Sequence, residues 1–160
     1  MTKEEFERFL SLNETYAQNN RTQSSDKGVL QIYAYILEHE KWDSDWWSEC
    51  HGTDDVIRLI QISSENIFEK IKEDIPNWSG FQIELFALSL ISSLEVDYKV
   101  NERITLYLEL FDFPKHECDL YIIFDQLHIN LNLADKEVLK RFAEKLNFSS
   151  AEALMQYVYP

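Results

Sequence analysis

Two short clusters carry residue types that bind zinc: the adjacent pair Cys50-His51, and His116 with Cys118 one residue apart. Thiolates and imidazoles are the usual tetrahedral zinc donors, and four of them suffice for a structural site. The spacing argues against one, because adjacent Cys and His do not readily face a single ion and no C-x-x-C or H-x-x-x-H pattern occurs. The same residues are the ingredients of thiol catalysis, a cysteine beside a histidine base. Carboxylates crowd Cys50 and disfavour its thiolate, and no nucleophile elbow surrounds either cysteine. His39-Glu40 begins like a zincin helix, but Asp43 stands where the second histidine belongs. Asp43 and Asp45 have the composition of a hydrolytic carboxylate pair, yet in a chain this acidic such pairs arise by chance. The three glycines are isolated, and none opens a helix ahead of Lys and Ser or Thr, so no phosphate loop is present. The expectation is a protein without catalytic centre, metal or cofactor, whose cysteines are ordinary core thiols beside polar histidines.

The segment from Glu38 to Asp55 points to a different chemistry. It holds the carboxylates Glu38, Glu40, Asp43, Asp45, Glu49, Asp54 and Asp55 against one lysine, Lys41, interleaved with Trp42, Trp46 and Trp47. Acids alone describe a solvated face, whereas acids around large aromatics describe a surface that grips a cationic partner. Adjacent residues on a helix do not share a face, so Trp46 and Trp47 cannot both enter one core, and one indole is expected at the surface or its rim. The expected contacts are those seven carboxylates paired with lysines and arginines of the partner, with Trp46 or Trp47 as the buried anchor. The competing reading makes Trp42, Trp46, Trp47 and Trp78 core anchors among solvated charges. A second acidic stretch, Glu95 to Asp125, sets Glu95, Asp97, Glu102, Glu109, Asp112, Glu117, Asp119 and Asp125 against Lys99, Arg103 and Lys115. It is read either as an extension of the first acidic surface or as the solvated outer face of two helices.

Composition sets the context for these residues. Fifteen basic and 29 acidic side chains give a net charge of −14, a field that repels nucleic acid and anionic membrane surfaces. Hydrophobic residues at 45% and aromatics at 14% exceed what disordered acidic tails carry, so the acidity sits on a folded body. With 160 residues, one domain spanning 1–160 is expected. Met1 to Leu12 is charged and amphipathic, without a secretory h-region, and the apolar runs Phe86 to Ile91 and Leu120 to Phe124 are too short to span a bilayer. A cytoplasmic protein with reduced thiols follows.

Few Gly and Pro, and Leu and Ile in excess of Val and Thr, predict an all-α fold. Thr2 and Glu5 form a capping box before a first helix to about residue 18, and the polar stretch Asn19 to Asp26 reads as a mobile loop ended by Gly28. Val29, Leu30, Ile32, Tyr33, Ile36 and Leu37 stripe a second helix leading into the acidic segment. Gly52 interrupts the pattern and Thr53 caps a third helix, with Asp54 and Asp55 in its first turn. Its stripe runs to Ile75 as one bent helix, or as two if Ser63 and Ser64 form a break. Ser79 and Gln82 cap an all-round apolar helix expected at the centre, and Asn101 starts the next, which stops at Phe113-Pro114. His116 to His128 is its expected antiparallel partner. Asp135 to Leu146 and a short helix capped by Ser149 with Glu152 complete seven to nine helices. They form an irregular bundle or a short HEAT-like stack of antiparallel hairpins.

The pattern W-x-x-x-W-W-x-x-C-H-G-x-D-D from Trp42 to Asp55, followed by an Ile/Leu helix and Asn77-Trp78, resembles the helical bacterial immunity proteins. These neutralise polymorphic toxins, including those of contact-dependent growth inhibition systems. The resemblance implies a non-enzymatic antitoxin that binds a cognate basic toxin, a nuclease, and blocks its active site or substrate groove. The alternatives are a helical-repeat adaptor for a peptide or regulatory protein and, with less support, a small metal-dependent or thiol hydrolase. Oligomeric state is open.

Overall fold

The computed structural model describes residues 1–13, 21–49, 51–92, 97–113, 120–121, 124 and 129–159. Among the described residues the secondary structure is helical without strands, as the composition predicts. The α-helices are α1 (Lys3–Leu12), α2 (Lys27–His39), α3 (Ser44–Ser48), α4 (His51–Gln61), α5 (Ile67–Asp74), α6 (Gly80–Ser92), α7 (Val100–Leu110), α8 (Lys136–Lys145) and α9 (Ala151–Val158). Short 3-10 turns at Ile75–Asn77 and Leu131–Leu133 join them. No described helix is long and apolar enough to cross a membrane.

Local chemistry explains most helix starts. The Thr2 hydroxyl accepts from the Glu5 amide at 3.2 Å while the Glu5 carboxylate accepts from the Thr2 amide at 2.6 Å, which closes the capping box. Asp26 caps α2 by accepting from the amides of Gly28 and Val29, and Asp135 caps α8 in the same way through Glu137 and Val138. At α6, Ser79 and Gln82 cap reciprocally, and Gln82 also accepts from the Tyr33 hydroxyl at 3.0 Å, tying the start of α6 to α2.

Several expected boundaries move. The first helix closes at Leu12 rather than near residue 18, because the Asn13 side chain donates to the Phe9 carbonyl and its amide to Leu10. Residues 14–20, including Tyr16 and Ala17, lie outside the described residues, as does most of the span 116–128. The described part of the expected mobile loop is anchored: the buried Thr22 hydroxyl and the Gln23 amide both donate to the Asp74 carboxylate. The stretch from Thr53 to Ile75 is two helices, broken at 62–66 where the Ser63 hydroxyl turns back to the Leu59 carbonyl. Ser150, not Ser149, caps α9.

Helices α2, α4 and α6 pack mutually within the all-α bundle. Helix α6 is apolar on nearly every side and touches α2, α3, α4 and α7, the central place its sequence predicts. Trp78 is fully buried between Tyr33 at 5.1 Å and Phe86 at 5.6 Å, both edge-on. Its indole N–H donates to Asp74 at 2.7 Å. That buried carboxylate thus accepts from Thr22, Gln23, Asn77 and Trp78, which is what makes its burial tolerable. Arg103 is buried in α7 and donates from Nε to the Leu90 carbonyl at 2.9 Å. Burial pushes its guanidinium down to about 10, opposed by the nearby charge of Asp54.

Candidate functional site

The acidic and tryptophan-rich segment folds as a corner: the end of α2, a turn, the short helix α3, and the start of α4. His39 sits one turn after Tyr35 and stacks on it at 4.1 Å. Its Nδ1–H donates to the Tyr35 carbonyl at 2.8 Å, so the proton is assigned to Nδ1. The chain turns at His39, whose carbonyl accepts from the Trp42 amide at 3.0 Å and from the Trp47 indole at 3.2 Å. Asp43 then caps α3 by accepting from the Trp46 amide at 3.0 Å. A five-residue helix has little stability of its own, so its position rests on this cap and on the indoles it packs.

The three tryptophans divide sharply. Trp47 is only 3% exposed and meets Tyr35 edge-on at 6.3 Å, so it belongs to the core and is not an available partner contact, contrary to its expected place in the binding surface. Trp46 is half-buried and lies parallel to His39 at 5.9 Å, with His51 at 5.5 Å. Its Nε1 is buried and makes no hydrogen bond among the described residues. Trp42, 50% exposed, packs edge-on to Trp46 at 4.6 Å and an interplanar angle of 62°. The surface indole is therefore Trp42, a residue outside the contacts expected from the sequence. The sequence carried no local signal for it: Trp42 stands in the turn before α3, outside any helix, so helical spacing does not relate it to Trp46.

Gly52 does not interrupt α4; it is its second residue, and it is small because the indoles lie against it. A Cβ there would stand 2.8 Å from Cε3 of Trp47 and 2.9 Å from Nε1 of Trp46. Thr53, expected as the cap, is fully buried within the helix, and its hydroxyl makes no hydrogen bond.

The carboxylates also divide. Glu40 reaches the amide of Gln82 at 3.2 Å, and Asp55 accepts from the Tyr35 hydroxyl at 2.9 Å and pairs with Arg58 at 3.0 Å. Burial, followed by the hydrogen bond to Asp55, pushes the Tyr35 hydroxyl well above its ordinary value, so it remains a donor to that carboxylate. Asp54 is half-buried and faces Arg103 electrostatically. Asp43, Asp45 and Glu49 are exposed, as is Glu38, and none of the first three makes an ion pair among the described residues. Asp43, Asp45 and Glu49 line, with Trp42, Trp46 and His51, an open depression of about 420 Å³. The structure thus brings three of the seven expected acids together beside exposed aromatic surface and ties three others into the fold.

Larger depressions exist, and each is lined by lysine as well as acids. In the groove of about 610 Å³ between α5 and α7, Lys72 pairs with Glu109 at 2.5 Å and Lys99 donates to the Glu65 carbonyl at 2.9 Å. Arg141 and Lys145 likewise pair with Glu109 and Asp112 from the second acidic stretch. The α7 part of that stretch has α5, α6 and α8 as its main neighbours, whereas α3 has α4 and α6. No group of three or more metal-ligating side chains gathers among the described residues. Cys50, His116 and Cys118 lie outside them, and with them the zinc and thiol constellations.

Comparison with family models, with curated proteins and with solved structures found no match to this chain.

Proposed function

We propose that this chain is an immunity-type binding protein of the bacterial cytoplasm that neutralises a cognate basic toxin, a nuclease, by covering its active site or substrate groove. The observation that carries the reading is the concentration of Asp43, Asp45 and Glu49, without ion-pair partners among the described residues, around the half-exposed Trp42. Uncompensated carboxylates steer a basic partner toward this corner, and an indole supplies the desolvated contact that slows its departure. A nuclease is the favoured target because its substrate groove must be basic to hold phosphates, so an acidic protein competes for the same charges. The anchor in this reading is Trp42 backed by Trp46, with Trp47 holding α3 in place from beneath.

The test uses the protein encoded by the neighbouring gene. Co-expression should rescue cells from its toxicity, and the purified pair should form a stoichiometric complex whose association rate falls steeply with salt. Absence of a complex with any basic neighbour-encoded protein overturns the reading, as does a complex indifferent to replacing Asp43, Asp45 and Glu49 by their amides.

A further inference from the structure

We infer that the depression beside α3 receives a single arginine side chain of the partner protein, its guanidinium laid against the indoles of Trp42 and Trp46 and its N–H groups directed to Asp45 and Glu49. This rests on the reading of that corner as a docking face for a basic protein and specifies how it would be held.

The two rings meet at 4.6 Å and 62°, forming a corner rather than a flat plate. A planar cation stacks on one ring while the other closes its flank, a geometry in which the ring quadrupole attracts positive charge. Asp45 and Glu49 stand one helical turn apart on the rim, with Asp43 beside them, and no basic side chain forms an ion pair with any of the three among the described residues. The site therefore carries an uncompensated charge of three carboxylates around an aromatic wall. That combination selects against phosphates and nucleotides by sign. It favours guanidinium over ammonium by shape, since arginine is planar, weakly hydrated and able to stack and donate in a fork at the same time, whereas lysine is a compact, strongly hydrated point charge. At about 420 Å³ and open to solvent, the depression has room for one extended side chain inserted from a neighbouring surface.

The wall is built in advance. Tyr35 stacks on His39 at 4.1 Å, His39 lies within 6° of parallel to Trp46, and the Trp46 ring abuts Gly52 from the other side. Trp42 then closes the row edge-on at the surface. A row of rings fixed from the core outward and ending at a half-exposed indole needs little ordering when a cation arrives, and this keeps the entropic cost of binding low.

The probe is the blocked tripeptide acetyl-Gly-Arg-Gly-amide, with its lysine and citrulline counterparts, titrated into the full chain while the indole N–H resonances are followed. Trp42→Phe assigns the Trp42 signal. The arginine peptide should shift the Trp42 signal saturably in the millimolar range, about threefold more tightly than the lysine peptide, and the neutral citrulline peptide should leave it in place. Asp45→Asn with Glu49→Gln should weaken arginine binding about tenfold with unchanged circular dichroism, because both substitutions are at exposed positions. Equal shifts from citrulline, a linear non-saturating response, or an unaffected double variant would each overturn the assignment. The two levels separate cleanly. If the neighbour-encoded protein binds through the acidic corner but the peptide does not, the arginine site falls and the docking face stands. If the peptide binds but no such protein does, the site stands and the immunity reading falls.

Discussion

Gly52→Ala puts two opposing effects in competition, and the structure decides the sign. Alanine is the better helix former, and at an unconstrained interior position the exchange would stabilise by up to about 1 kcal/mol. Here the added methyl would stand 2.8 Å from Cε3 of Trp47 and 2.9 and 3.0 Å from Nε1 and Cδ1 of Trp46. All three are atoms of rigid rings, and Trp47 is held by the core around it and by its hydrogen bond to the His39 carbonyl. Neither ring can retreat by bending a flexible tail, so the overpacking cost belongs at the upper end of its usual range, about 3 kcal/mol. The net expectation is a loss of about 2 kcal/mol, which lowers a urea midpoint by about 1 M for a slope of about 2 kcal/mol per molar. Parallel unfolding curves by circular dichroism and tryptophan fluorescence measure it. A midpoint equal to or above that of the wild type would refute the close approach of α4 to the two indoles.

Other expectations follow from the same contacts. Trp47→Ala should cost about 3–5 kcal/mol of unfolding free energy, while Trp42→Ala should stay within about 1, because only the former empties buried space; equal losses would show that the rings are assigned wrongly. Thr53→Val should raise stability by about 1 kcal/mol, since it removes a buried hydroxyl that has no hydrogen-bond partner at nearly constant shape; chemical denaturation would show a loss instead if a bound water satisfies that hydroxyl. Burial raises the pKa of Asp26, but the Lys70 ammonium at 2.6 Å and the amides of Val29 and Gly28 outweigh it, leaving the carboxylate below its ordinary 3.8. A carboxylate depressed on folding stabilises above that ordinary value and loses its contribution as pH falls through the folded one. Asp26→Asn should therefore be less stable than the wild type at pH 7, with the gap narrowing below about pH 3.8 in thermal melts.

What the sequence disclosed, and what it hid, follows the range of the interactions involved. The caps at Thr2 and Ser79 were legible because each is closed by a residue three positions away. The central place of α6 was legible because a helix apolar on every side has no other stable location. The fate of the tryptophans was not. Adjacency established that Trp46 and Trp47 must part, but which of them enters the core depends on where His39 and α4 stand, and those positions are tertiary. Gly52 was misread for the same reason, since its smallness serves two rings rather than a turn. Asp55 and Glu40 looked like free surface charges until Tyr35 and Gln82 met them from other elements. Asp74 and Thr22, more than fifty positions apart in sequence terms by their hydrogen bond, carried no local mark of their shared burial.

The acidic corner as a docking face is tested most directly by hydrogen exchange on the full chain, alone and in complex with the basic partner proposed for it. The account predicts that amides in the segment from Glu38 to Glu49 become protected on complex formation, and that neutralising Asp43, Asp45 and Glu49 abolishes the protection together with the binding. Protection confined to other faces of the bundle, with the segment around α3 exchanging as it does in the free protein, would contradict it.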